Sequence, residues 1–157
     1  MLNSDELVEL AHKHLSPGTF IGVYSIDRLP EKFPPQVTPY PVSLIINTDP
    51  SNLIGKHWYA MVYYPNSYGE VFNSFGTRPS ARLERWMNRH CGRGWLYQNC
   101  FLQGPLTMLC GYYCIYFLKY RLPMYPHLSP LSSFIRRHFN IVSTHENDQQ
   151  IRKYFKL

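Results

Sequence analysis

The chain has 157 residues, a formal net charge of +6, and a composition that is 45% hydrophobic and 16% aromatic with 13 tyrosines. This length suits one domain that buries a core without disulfide or metal staples, and the aromatic content excludes a disordered or collagen-like chain. The positive charge attracts polyanions at low salt, but it is spread over Arg78, Arg82, Arg85, Arg89 and Arg93, then Arg136, Arg137, Arg152, Lys153 and Lys156, not condensed in one tract.

Asn3 and Glu6 have capping-box spacing ahead of Leu7, Val8, Leu10 and Ala11, and Ser16-Pro17-Gly18 ends the pattern, so residues 4–15 are predicted helical. Residues 19–26 follow as a strand, and the proline-punctuated stretch 29–41 as a loop or surface arm. The β-branched run 42–47 and the aromatic run 57–64 are strands, and residues 65–69 turn a hairpin into a strand at 70–75. Ser80 caps a helix with Leu83, Trp86 and Met87 inward and Arg82, Arg85 and Arg89 outward. Residues 95–101 form another strand. Residues 107–120 are apolar nearly all round and suit a helix buried in the middle of the domain. The longest apolar run, 106–118, is too short to span a bilayer, and no membrane segment is expected. Ser129-Pro130 opens a helix through His138, and Thr144 opens a basic last helix. The expected fold is α+β: a mixed, mainly antiparallel central sheet, a buried nucleophile helix and flanking helices, in a single domain over 1–157.

The N-terminus, Met-Leu-Asn-Ser-Asp-Glu-Leu, lacks the apolar core of a signal peptide, so Cys91, Cys100, Cys110 and Cys114 are expected as reduced thiols. They lack the paired short knuckles of a zinc site, and no metal is expected. A nucleophilic thiol needs the partial positive charge and free N–H groups of a helix start, where Cys110 sits. Gly111 would clear space for a substrate carbonyl, and the Cys110 N–H and the Gln103 amide would donate to an oxyanion. The base must be a neutral imidazole whose second nitrogen is held by another group. A hairpin turning at 65–69 brings His57 beside Asn73, whereas strand alternation turns Glu70 to the other face. Taken singly, Cys110, His57, Asn73 and Gln103 all have ordinary packing roles. Their joint order is what carries the catalytic reading.

Gly55-Lys56-His57-Trp58, Val71-Phe72-Asn73-Ser74-Phe75-Gly76 and Gln103-Gly104-Pro105 with Cys110-Gly111-Tyr112-Tyr113-Cys114 resemble the motifs of the adenovirus protease family, the adenains. The resemblance covers about residues 3 to 120 and extends more distantly to proteases that process ubiquitin-like proteins. It implies a cysteine endopeptidase with Cys110 as nucleophile, His57 as base, Asn73 as its orienter and Gln103 as oxyanion donor. Trp58 would wall a narrow groove that admits glycine. The family usually has Glu or Asp where this chain has Asn73, an arrangement closer to the Cys-His-Asn of papain-like enzymes. The resemblance further implies cleavage of viral or virus-like-transposon precursor polypeptides at glycine-containing sites, in the virion and host nucleus. No cofactor is required, and activation by DNA or a basic peptide is the family pattern. In that pattern the peptide is disulfide-linked to a noncatalytic cysteine; Cys91 lies at about the corresponding distance before Gln103, but spacing alone does not assign it that role. A monomer is expected. The competing readings are removal of ubiquitin-like modifiers and a catalytically silent, basic nucleic-acid-binding or scaffold protein.

Overall fold

The computed structural model describes residues 1–34, 40–48 and 57–157. Residues 35–39 of the expected loop, and Gly55 and Lys56 of the first motif, lie outside the described residues. The first helix, α1 (Ser4–His14), starts where the capping box predicts: the Asn3 side chain accepts the Glu6 N–H and donates to the Glu6 carboxylate, both at 2.9 Å.

Five strands form one mixed sheet in chain order: β1 (Phe20–Ser25), β2 (Val42–Asn47), β3 (Trp58–Tyr63), β4 (Gly69–Phe72) and β5 (Trp95–Tyr97). The central pairs β2/β3 and β3/β4 are antiparallel and the outer pairs are parallel. Side-chain alternation splits the core between the two faces. Leu44, Ile46, Met61 and Val71 pack against Leu83, Trp86 and Met87 of α2 (Ala81–His90). Ile45, Ala60, Val62 and Phe72 pack against α3 (Cys110–Arg121), where the Phe72 and Phe117 rings stack at 4.5 Å. Phe134 and Ile135 of α4 (Leu131–His138) and Ile151 of α5 (Thr144–Phe155) complete that cluster. Helix α3 is therefore enclosed on most sides, as its unbroken apolar surface requires. None of the described helices is long and apolar enough to cross a membrane.

Three boundaries differ from expectation, each because polar groups satisfy one another locally. Strand β4 stops at Phe72, not residue 75: the Asn73 side chain accepts the Phe75 N–H at 2.9 Å and the chain turns, with Gly76 N–H bonded to the Asn73 carbonyl. Strand β5 stops at Tyr97, not residue 101, because the Gln98 amide binds the Cys100 N–H, the Cys100 carbonyl and the Asn73 carbonyl. Helix α3 starts at Cys110, not residue 107, because the Thr107 N–H and hydroxyl both return to the Gly104 carbonyl. The expected buried helix thus loses residues 107–109, of which Met108 is exposed, as is Leu106 just before them.

Candidate active site

Cys110 is the first residue of α3, so its sulfur sits where helix N–H groups lack helical partners. Burial pushes the thiol pKa up, while the N–H groups of Trp58, Gly111 and Cys110 itself act in the opposite direction by favouring the thiolate. One turn along, the Cys114 thiol donates to the Trp58 carbonyl at 3.3 Å. Both backbone groups of Trp58, the first residue of β3, therefore face α3 thiols, its N–H the Cys110 sulfur and its carbonyl Cys114. The residue immediately before Trp58 is His57.

His57 Nε2 lies 2.5 Å from Asn73 Oδ1. The Asn73 amide cannot turn round without loss, because its NH2 donates to the Thr77 hydroxyl at 2.7 Å and its Oδ1 also accepts the Phe75 N–H. The imidazole consequently carries its proton on Nε2, leaving Nδ1 with a free lone pair. That Nδ1 is buried and has no hydrogen-bond partner among the described residues, although buried polar atoms are normally paired. Phe75 stacks on the ring at 4.5 Å and 19°, and Tyr59 meets it edge-on at 5.3 Å, so the orientation is clamped. Burial pushes the His57 pKa down, against the hydrogen bond that the ring donates to Asn73 Oδ1, which favours the imidazolium. Glu70 takes no part: on the α3 face of the sheet, its carboxylate binds Arg121, Tyr64 and Tyr68.

Gln103 is fully buried on the loop leading to Cys110. Its carbonyl oxygen accepts the Ser74 hydroxyl at 2.5 Å, and its NH2 faces the Thr107 carbonyl at 2.9 Å and hydroxyl at 3.1 Å. The donor expected for an oxyanion is therefore engaged internally, and a substrate oxygen must compete with Thr107 for it. The backbone around it is fixed from α5. Asp148 accepts the Gly104 N–H at 3.1 Å and the Tyr113 hydroxyl at 2.7 Å, and the Asn147 amide donates to the Leu102 carbonyl at 3.0 Å. A Cβ on Gly104 would come within 2.5 Å of Asp148 Oδ2, so the carboxylate's approach requires glycine there.

The two residues expected to line a substrate groove sit otherwise. A Cβ on Gly111 would meet Leu7 of α1 at 3.0 Å, Leu2 at 3.1 Å and Trp58 at 3.4 Å, so the missing side chain lets α1 and the residues before it pack closely. Trp58 is buried beneath the same segment and donates its indole N–H to the Leu2 carbonyl at 3.1 Å. The sequence shows that a glycine clears space without showing what fills it. Cys110 itself is only 2% exposed, so substrate entry requires movement of these neighbours. Cys91 is buried against Gly69 and Met87, with its thiol pKa pushed up to about 12 by burial, which makes it a packing thiol. Thr77, Ser74, Asn147 and Asp148 support the constellation and escaped the sequence reading. Thr77 alone carried a local signal, as a hydroxyl four residues beyond Asn73.

No protein-family model and no curated protein matches the chain. Among solved structures it resembles ASFV pS273R protease. One crystal structure gives 21% identity over 97% of this chain with a TM-score of 0.63, and the selenomethionine form gives 27% over 73% with 0.53. The chain spans 63% and 42% of those two protease chains. The central domain of the uncharacterized Lpg1148 protein from Legionella pneumophila covers 99% of this chain at 13% identity and a TM-score of 0.54. The mixed α+β architecture is thus that of the ASFV pS273R protease structure.

Proposed function

We propose that this chain is a cysteine endopeptidase with Cys110 as nucleophile, His57 as base, Asn73 as orienter and Gln103 with the Cys110 N–H as oxyanion donors. The observation that carries this reading is the imidazole with one nitrogen fixed on Asn73 and the other buried without a partner among the described residues, next in sequence to Trp58, whose N–H faces the Cys110 sulfur. An orphaned buried base is costly in a merely structural histidine and is what proton abstraction needs.

In this mechanism His57 Nδ1 takes the Cys110 proton as sulfur attacks the scissile carbonyl carbon. The carbonyl oxygen gains charge and draws the Cys110 N–H and a Gln103 N–H released from Thr107. The C–N bond then breaks, with the proton passing from His57 to the departing amine, and leaves a thioester on Cys110. Water, deprotonated by the same nitrogen, releases the acid and restores the thiol.

The motif resemblance supports precursor polypeptides of a virus or virus-like transposon as substrates, cut at glycine-containing sites during particle maturation. The exposed arginines Arg82, Arg85 and Arg89 on α2 support duplex DNA as a partner of the monomer. Profiling against a peptide library that includes glycine-rich sequences, beside a ubiquitin-like conjugate panel, tests the reading. Cleavage of peptides by the native chain, lost in both Cys110→Ala and His57→Ala, is expected. Equal products from all three proteins, or none from any, would contradict it.

A further inference from the structure

A polypeptide substrate must reach the Cys110 sulfur, and the segment packed beside Trp58 and Gly111 stands in the way. That segment is held in two ways. Leu7 and Ala11 of α1 are fully buried, and the helix start is closed by Asn3, whose side chain accepts the Glu6 N–H at 2.9 Å and whose carbonyl accepts the Leu7 N–H at 3.0 Å. Lifting α1 would therefore open the core. Met1 and Leu2 precede this cap, and none of the bonds that close it uses them. Met1 is 51% exposed and Leu2 is half-buried. Leu2 is seated by two contacts: its carbonyl accepts the Trp58 indole N–H at 3.1 Å, and its side chain lies where a Cβ on Gly111 would come within 3.1 Å of it. Burial pushes the Cys110 thiol pKa up, and the Met1 amino group is among the groups acting the other way, so residue 1 lies within electrostatic reach of the sulfur.

We infer that Met1 and Leu2 form a lid over the nucleophile that pivots at Asn3, and that the substrate reaches Cys110 by displacing it. The division of labour follows from the packing. Helix α1 stays anchored by Leu7 and Ala11, while the two residues ahead of its cap are fastened by one hydrogen bond and one half-buried leucine. A seat of that size favours the closed form by about tenfold, enough to shield the thiol at rest and little enough for a bound polypeptide to overcome. The lid rests on the endopeptidase reading and adds to it a self-inhibited resting state. Because lid and substrate compete for the same approach, weakening the seat lowers KM and leaves kcat unchanged.

Alkylation by iodoacetamide, mapped on each cysteine by mass spectrometry, tests the lid without requiring turnover. Leu2→Ser removes the apolar half of the seat, and Trp58→Phe keeps a buried ring while removing the indole N–H. Each should raise the Cys110 rate about threefold and the two together about tenfold, with Cys91 and Cys114 still unmodified. On a peptide that the native chain cleaves, Leu2→Ser should lower KM by the same factor at native kcat. A Cys110 rate that stays native in all three variants overturns the lid, as does a rise shared by Cys91 and Cys114, which would mark general loosening. Faster Cys110 alkylation in variants that, like the native chain, cleave no peptide overturns the endopeptidase reading and leaves the lid standing.

Discussion

The two ends of helix α3 bury polar groups under opposite conditions. At the far end Arg121 is almost fully enclosed, with its guanidinium 2.6 and 2.9 Å from the Glu70 carboxylate, and Tyr64 and Tyr68 donate to the same oxygens. Apart from a stack of Arg121 over the Phe134 ring, everything there is hydrogen-bonded to something specific. At the near end Cys110 has backbone N–H groups around its sulfur and no acidic residue in the first turn, and His57 Nδ1 has no partner among the described residues. The two ends sit on one rigid element, one with its valences closed and the other with one open. Buried polarity that is satisfied holds a fold together, whereas buried polarity left open is available for chemistry.

Breaking each end in turn gives the sharpest contrast. Cys110→Ala should reduce peptide cleavage to the uncatalysed level while shifting unfolding stability by no more than about 1 kcal/mol. Arg121→Met, which leaves the Glu70 carboxylate buried without its cation, should cost about 3–5 kcal/mol in denaturant unfolding. If Cys110→Ala proved the more destabilising of the two, the division between the ends would be wrong.

A smaller effect separates Asn73 from its surroundings. Asn73→Ala should lower kcat by about 10-fold to 100-fold, less than the roughly 10,000-fold loss known when a triad carboxylate is altered, because Phe75 and Tyr59 still clamp the ring. Asn73→Asp should keep or raise the rate by supporting the imidazolium. Equal rates for all three forms would remove Asn73 as the orienter. The smallest effect belongs to Thr77→Val, which frees the Asn73 amide to rotate and so loses about one net hydrogen bond, or roughly fivefold in rate.

The sequence made the near end of α3 more legible than the far end. Cys110, His57, Asn73 and Gln103 each stood in a short motif, and the hairpin that pairs β3 with β4 was written in residues 65–69, so the approach of His57 to Asn73 followed from local signals. Helix α1 and strand β2 were readable for the same reason, from a capping box and a β-branched run. Glu70 was correctly placed on the opposite face, yet its partner Arg121 lies 51 residues away and no local pattern links them. Asp148 is 44 residues from the Gly104 it holds, and the fixing of the Gln103 loop was invisible for that reason. The docking of Leu2 and Leu7 beside Trp58 and Gly111 is a tertiary fact that no local pattern carries. The apolar run 106–118 looked like helix throughout, and the Thr107 turn cut it in two.

The central claim, that Cys110 is activated by His57, is tested most directly by mapping iodoacetamide adducts on all four cysteines by mass spectrometry as a function of pH, in the native chain and in His57→Ala. Burial pushes the Cys110 thiol up and the His57 imidazole down, so both shifts work against a preformed thiolate–imidazolium pair. The account predicts that the Cys110 rate climbs continuously as pH rises, falls sharply in His57→Ala, and leaves Cys91 and Cys114 unmodified. A Cys110 rate unchanged by removal of the imidazole, with partly exposed Cys100 reacting first in both proteins, would contradict it.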